Sequence, residues 1–207
     1  MPKSETNFYI VLDMDETLLH TLFGNIEKIK KENIFTDKKH FHIRNRIYRF
    51  LYKRGEEFWG IFRPHIKEFL TWCHSYFVKV IIWSAGEKVY VEKAINEIVK
   101  STGIPPFDII LTRNDCSTVD KNLTKPLDYI FKKVSGANEK NTFIIDDRID
   151  NFHHNPRNGI LIPQYHPSYD IDGIKEDDDT LLLIKKWFEK PEVKRSVDIR
   201  TLSKEIF

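Results

Sequence analysis

Phe8-Tyr9-Ile10-Val11-Leu12, running directly into Asp13-Met14-Asp15-Glu16-Thr17, is the stretch from which the fold is read. Five apolar residues in succession fit a strand buried on both faces, as in a parallel sheet covered by helices. The acids that follow stand where open parallel sheets gather their functional groups, just beyond the carboxyl end of a strand. Outward from this segment the pattern repeats at 78–83, 107–111, 142–145 and 159–162, the last stopped by Pro163. Helical periods lie between. Residues 65–77 put Ile66, Phe69, Leu70 and Cys73 on one stripe, and 87–101 do so with Val91, Ala94, Ile95 and Ile98. Gly103 stands where that second helix should stop, and Pro126 opens a third at a position where its missing N–H costs nothing. Strands alternating with helices predict an α/β fold with a central parallel sheet.

Two regions depart from the alternation. Residues 21–62 contain no clean strand–helix unit. Within them, 38–54 hold seven Lys/Arg and no acid, interleaved with aromatic and aliphatic residues. Arg54-Gly55-Glu56 reads as a turn into Phe58-Trp59-Gly60-Ile61-Phe62, which predicts a β-hairpin insertion, although a helix over Ile43, Ile47, Phe50 and Leu51 fits nearly as well. At the other end, Asp177-Asp178-Asp179 precede Leu181 to Phe188 and predict an acid-capped docking helix.

With 41% hydrophobic and 31% charged residues, the 207-residue chain is not a disordered one, and its length fits a single domain over 1–207. Its apolar runs are far shorter than the ~20 residues that span a bilayer. The first residues lack a signal-peptide core, and Cys73 and Cys116 need no bridge, which predicts an intracellular, reducing location. The net charge of +2 selects no partner class.

The strand ends carry the chemistry. Asp13 and Asp15 follow the first strand, Ser84 the second and Asp146-Asp147 the fourth, while Lys125 opens the helix before that strand. An Asp-x-Asp alone is as well read as a solvated turn, and an Asp-Asp as a helix cap; it is their placement at successive strand ends that argues for a site. Clustered carboxylates cannot all stay ionised without a cation, and hard oxygen ligands suit Mg²⁺. Asp13 can then serve as nucleophile and Asp15 as acid and base, with Ser84 and Lys125 on the phosphoryl oxygens. Glu16 reads as a solvated or capping acid. His153-His154 and His40-x-His42 lack a further ligand at metal spacing and read as surface or loop histidines.

The DMDET segment resembles the DxDxT signature of the haloacid dehalogenase superfamily. More narrowly, five blocks in order are similar to the FCP/SCP, or NLI-interacting-factor-like (CTD small phosphatase-like), protein serine/threonine phosphatases: DMDETLLH at 13–20, FRPHIKEFL at 62–70, IIWSAGEKVY at 81–90, LTRNDCSTVDKNLTKPL at 111–127 and FIIDDRIDNFHHNPRNGI at 143–160. The resemblance implies a Rossmann-like fold and a Mg²⁺-dependent phosphatase of phosphoserine and phosphothreonine working through an aspartyl phosphate. It implies Asp13 as nucleophile and Asp15 as acid/base, and Mg²⁺ on Asp13, the Asp15 carbonyl and Asp147, with Asp146 adjacent as a further ligand or as a carboxylate behind them. It further implies Ser84 and Lys125 on the phosphate, Thr17 ordering the loop, and Arg113 and Tyr90 facing the peptide. The partner it implies is a phosphorylated protein, the C-terminal repeat domain of RNA polymerase II first, in nucleus or cytoplasm, with no membrane.

Departures from the family pattern bear on specificity. Asp146-Asp147 stands where the small phosphatases have Asp-Asn, Ser84 replaces a threonine, and Glu87 replaces an apolar residue. The insertion is about a dozen residues longer and basic, and the chain is too short to add a BRCT domain. Two other expectations follow: a phosphatase of nucleotides, polynucleotide ends or small molecules, and a non-catalytic member serving as a binding module. The basic aromatic segment could hold single-stranded nucleic acid, but a face meeting water or an acidic phosphopeptide is the preferred reading.

Overall fold

A computed structural model describes residues 4–23, 36–168 and 170–207. The part of the expected insertion at 24–35 lies outside the described residues. The strands are β1 (Tyr9–Leu12), β2 (Leu19–Phe23), β3 (Ile47–Leu51), β4 (Glu57–Phe62), β5 (Lys79–Trp83), β6 (Ile109–Leu111), β7 (Ser117–Val119), β8 (Asn122–Thr124), β9 (Thr142–Asp146) and β10 (Gly159–Leu161). The helices are α1 (Ile66–Tyr76), α2 (Lys88–Thr102), α3 (Asp128–Lys133), α4 (Ile171–Lys175), α5 (Thr180–Phe188) and α6 (Pro191–Lys194).

The five apolar runs form one sheet in the order β10-β9-β1-β5-β6, and every pair is parallel. Because side chains alternate across a strand, its two faces build two cores. Ile10, Leu12, Val80, Ile82, Phe143 and Ile145 pack with the stripes of α1, α2 and α5. Tyr9, Val11, Ile81, Trp83 and Ile144 pack with Leu127, Ile130 and Phe152 on the other side. The α2 stripe closes at Gly103, whose φ of 73° is the left-handed cap that a side chain would strain. Before α5 it is Asp178, one residue earlier than the N-cap Asp179, that accepts the Thr180 N–H at 2.9 Å.

Register decides where the chemistry goes. Leu12 lies opposite Ile82 of β5 and Ile145 of β9. The residues that follow on all three strands therefore emerge on one rim, and the Asp13 N–H donates to the Ile145 carbonyl at 3.0 Å.

The insertion does contain the expected hairpin, β3 and β4 pairing antiparallel, but β2 joins on the other side of β4 to make a three-stranded sheet. Residues 38–46 form a 3₁₀ helix, and the alternative helix over Ile43, Ile47, Phe50 and Leu51 does not occur. Pairing overrides helical spacing here: Tyr48 and Phe50 turn toward the main core, while Ile43 packs with Leu22, Trp59 and Ile61 beneath Tyr165. Gly60 lies opposite Tyr48, and a Cβ there would come 2.1 Å from the tyrosine ring, so β4 requires glycine at that point. His40, read as a surface or loop histidine, is buried within the 3₁₀ helix. Among the described residues no helix is long and apolar enough to cross a membrane.

Candidate active site

At the carboxyl rim of the large sheet lies an open pocket of ≈ 480 Å³, lined among others by Asp13, Asp15, Ser84, Tyr90, Arg113, Lys125 and Asp147. Asp13 leaves β1 nearly buried. The β7–β8 hairpin turns through Asp120 and Lys121, both at positive φ, and delivers Lys125 to the floor. The Lys125 ammonium donates to Asp13 Oδ1 and, at 2.6 Å, to Asp146 Oδ2. Burial works against that ammonium, but the charges of Asp13 and Asp146 outweigh it and hold the lysine protonated. Burial, together with the Asp146 charge, pushes the Asp13 carboxyl well above the usual carboxylate range although Lys125 pulls it down.

Asp146 is fully buried and its oxygens are committed: besides Lys125 they take the Arg148 N–H at 2.9 Å and the Asn151 amide at 2.7 Å. Its neighbour Asp147 faces the pocket, where Gln164 Nε2 donates to it at 2.9 Å and Thr17 Oγ1 stands at 3.4 Å. Burial raises the Asp147 carboxyl as well, the Gln164 bond opposing it. One carboxylate oxygen from each of Asp13, Asp146 and Asp147 can be chosen so that the three lie within 4.8 Å of one another. That all-oxygen donor set, with a single ammonium between two of its members, fits a hard dication.

Asp15 lines the same pocket. It accepts the Tyr90 hydroxyl at one oxygen and Ser84 Oγ, at 3.3 Å, at the other. Burial pushes its carboxyl up to about 6, while the bonds from Tyr90 and Ser84 work the other way. Tyr90 also stands 2.7 Å from Thr21 Oγ1, which itself bonds the Tyr48 hydroxyl, so the small sheet braces the Asp15 side chain. Ser84 Oγ accepts the Gly86 N–H at 3.0 Å, which orients the hydroxyl toward the pocket. Arg113 Nε donates to the Ala85 carbonyl at 2.9 Å and its guanidinium lines the mouth. Glu87 is held from the insertion by the Tyr52 hydroxyl at 2.7 Å and by Lys53.

The residues singled out from sequence thus meet at one rim, and Thr17 lies beneath them as a buried prop. Tyr90, expected to face a peptide, spends its hydroxyl on Asp15 and Thr21. Glu16, expected as a solvated or capping acid, is half-buried with its carboxylate on His20. Tyr52 and Phe58 also line the pocket, and sequence reading did not find them, nor Gln164 or Asn151. No local pattern marks Gln164 or Asn151, whereas the aromatic pair could have been reached once the insertion was folded back onto Glu87.

A family model described as NLI interacting factor-like phosphatase matches residues 8–200. Among curated proteins, CTD small phosphatase-like protein 2 of Dictyostelium discoideum is 31% identical over 162 residues, covering 78% of this chain and 24% of that protein. Ubiquitin-like domain-containing CTD phosphatase 1 of Danio rerio is 31% identical over 110 residues, 49% of this chain and 34% of that protein. The chain therefore spans between 24% and 34% of the length of these curated relatives. Among solved structures, the fission yeast RNA polymerase II CTD phosphatase Fcp1 bound to beryllium fluoride aligns with a TM-score of 0.60 at 19% identity, covering 88% of this chain and 50% of that one. A second Fcp1 structure aligns at the same score over 97% of this chain and 59% of its own. At such identity these structures speak for the fold.

Proposed function

The chain belongs to the NLI interacting factor-like phosphatase family, and we propose on that premise that it is a Mg²⁺-dependent phosphatase of phosphoserine and phosphothreonine in proteins. The observation that carries this reading is the convergence of Asp13, Asp15, Ser84, Lys125 and Asp147 on one pocket. Asp13 and Asp147 would hold the ion together with the Asp15 carbonyl, and Asp146, committed to Lys125, would stand behind them. When bound, the ion supplies positive charge to the phosphoryl oxygens.

In the first step a carboxylate oxygen of Asp13 attacks phosphorus, the phosphorus–oxygen ester bond breaks, and Asp15 gives its proton to the departing seryl or threonyl oxygen. A carboxyl raised to about 6 is suited to carrying that proton near neutrality. In the second step Asp15 takes a proton from water, whose oxygen attacks the acyl phosphate and releases inorganic phosphate and Asp13. Lys125 and the Ser84 hydroxyl stabilise the charge on the non-bridging oxygens. Arg113 at the mouth supplies a guanidinium for the substrate backbone or a further phosphate.

By likeness to the relatives, the RNA polymerase II C-terminal domain is the first substrate to try. Purified protein should hydrolyse a generic aryl phosphate, lose that activity in EDTA, regain it with Mg²⁺, and be inactive as Asp13→Asn. Full activity of Asp13→Asn would reject the mechanism. In a panel of phosphopeptides and 5′- or 3′-phosphorylated oligonucleotides, the phosphopeptides should turn over faster; the reverse order would move the substrate class to nucleic acid ends.

A further inference from the structure

Beside the carboxylate cluster, and outside it, Glu16, His20 and His166 gather one carboxylate and two imidazoles. His20 Nδ1 lies 2.6 and 2.8 Å from the two Glu16 oxygens. His166 Nδ1 is 3.5 Å from Glu16 Oε2, and the two imidazole rings meet at 4.4 Å between centroids, inclined by 63°. One ligand atom from each of the three residues can be chosen so that all lie within 4.8 Å of one another.

Backbone bonds, not the side chains alone, bring them together. Glu16 is left-handed at φ 59°; its N–H donates to the Leu19 carbonyl at 2.8 Å, and its carbonyl accepts the Tyr165 N–H at 2.7 Å. The second of these bonds carries His166, one residue on, to the carboxylate from the opposite side. The side chain of His20, on β2, is only 5% exposed whereas that of His166 is 68% exposed. One imidazole is therefore fixed in the interior and the other closes over the carboxylate from solvent.

We propose that Glu16, His20 and His166 form a second metal site, separate from the oxygen-lined one, for a borderline dication of the Zn²⁺ class. Two imidazole nitrogens and one carboxylate oxygen suit Zn²⁺, Co²⁺ or Cu²⁺, whereas Mg²⁺ prefers the all-oxygen set next door. Ligands at Zn²⁺ bond lengths of ~2.0–2.1 Å in a tetrahedron stand roughly 3.4 Å apart. The 3.5 Å between His166 and Glu16 already matches that spacing. The closer Glu16–His20 contact has to open by less than about 1 Å to reach that spacing. Three protein ligands leave a fourth position, and Glu16 also lines the pocket, so that position can face it.

An ion here ties the loop after Asp13 to residues 162–166, the same segment that presents Gln164 to Asp147. Its occupancy is thereby linked mechanically to the neighbouring carboxylate cluster.

The test is equilibrium dialysis of the full chain against Zn²⁺ in excess Mg²⁺, followed by metal analysis. The wild type should retain one equivalent. His166→Ala, a change at an exposed side chain, should weaken binding by at least ~100-fold, since loss of a supporting partner alone costs 10–100-fold. His166→Cys should restore it, Asp147→Asn should leave it intact, and Co²⁺ should give the visible absorption of a four-coordinate site in the wild type but not in His166→Ala. Equal Zn²⁺ retention by wild type and His166→Ala would reduce the cluster to an ordinary Glu–His ion pair and overturn the site. Loss of Zn²⁺ in Asp147→Asn with retention in His166→Ala would put the ion at the carboxylates and overturn it equally.

Discussion

Burial pushes the Asp15 carboxyl up to about 6, against the hydrogen bonds from Tyr90 and Ser84 that favour its charged form. In the metal-free protein the folded state then holds the Asp15 proton more tightly than the unfolded chain does. That contribution is complete below about pH 4 and is lost as pH rises through about 6. Asp15→Asn, which keeps the shape and removes the charge, should therefore match the wild type in EDTA at pH 4 and exceed it by about 2–3 kcal/mol at pH 8, at 1.36 kcal/mol per pKa unit. Denaturant melts at the two pH values check this; a variant no more stable at pH 8 would show that the carboxylate is well solvated. The same substitution should cut turnover of phosphopeptides by ~10²–10⁴. It should slow an aryl phosphate less, because a good leaving group needs little protonation. Legibility at this scale stops where partners are distant in sequence. Asp13, Asp15 and Asp147 could be found as acids after apolar runs, but the Tyr90–Asp15 bond joins residues 75 apart and nothing local announces it. Gln164 likewise follows Pro163 in an irregular segment with no periodicity to mark it.

Elements divide by how their burial is shared. The three central parallel strands are readable because both of their faces are covered, so each is apolar almost throughout, whereas the edge strands β6 and β10 leave Ile110 and Leu161 exposed; Gly103 marks the end of α2 through a backbone angle that other residues avoid. Ile47–Leu51 was ambiguous because its alternation and its helical spacing are both tolerable, and the choice falls to pairing with β4, a contact outside the segment. That pairing places Tyr52 and Lys53 against Glu87 at the pocket mouth. Glu87→Ala should alter the KM for phosphopeptides while leaving aryl phosphate turnover and thermal stability unchanged. A parallel fall in both substrates would instead make Glu87 part of the catalytic arrangement. Arg63, at the end of β4, is fully buried and joins the Thr17 carbonyl at 3.2 Å to Asp178 at 2.8 Å before α5. Arg63→Met should cost about 3 kcal/mol by stranding Asp178 and the carbonyl, and adding Asp178→Asn should recover part of it. Denaturant titration of the single and double variants measures the coupling, and strict additivity would deny the pair any role.

At the scale of the whole molecule, a parallel sheet concentrates acids at one rim and leaves carboxylates in excess over the buried Lys125. A dication that fills this deficit must stabilise the fold as it binds. Mg²⁺ at 100 times its dissociation constant should add about 2.7 kcal/mol to unfolding. The gain should vanish in EDTA and in Asp147→Asn, and differential scanning calorimetry would register an unchanged melting temperature if the rim bound no ion. The most direct measurement is a crystal structure of the protein grown with Mg²⁺ and beryllium fluoride, a mimic of a phosphorylated aspartate. The expected result is the fluoride complex joined to Asp13, with Mg²⁺ on Asp13 and Asp147 and with Lys125 and Ser84 within hydrogen-bond reach of the fluorines. A beryllium fluoride found away from Asp13, or a Mg²⁺ bound without Asp147, would contradict it.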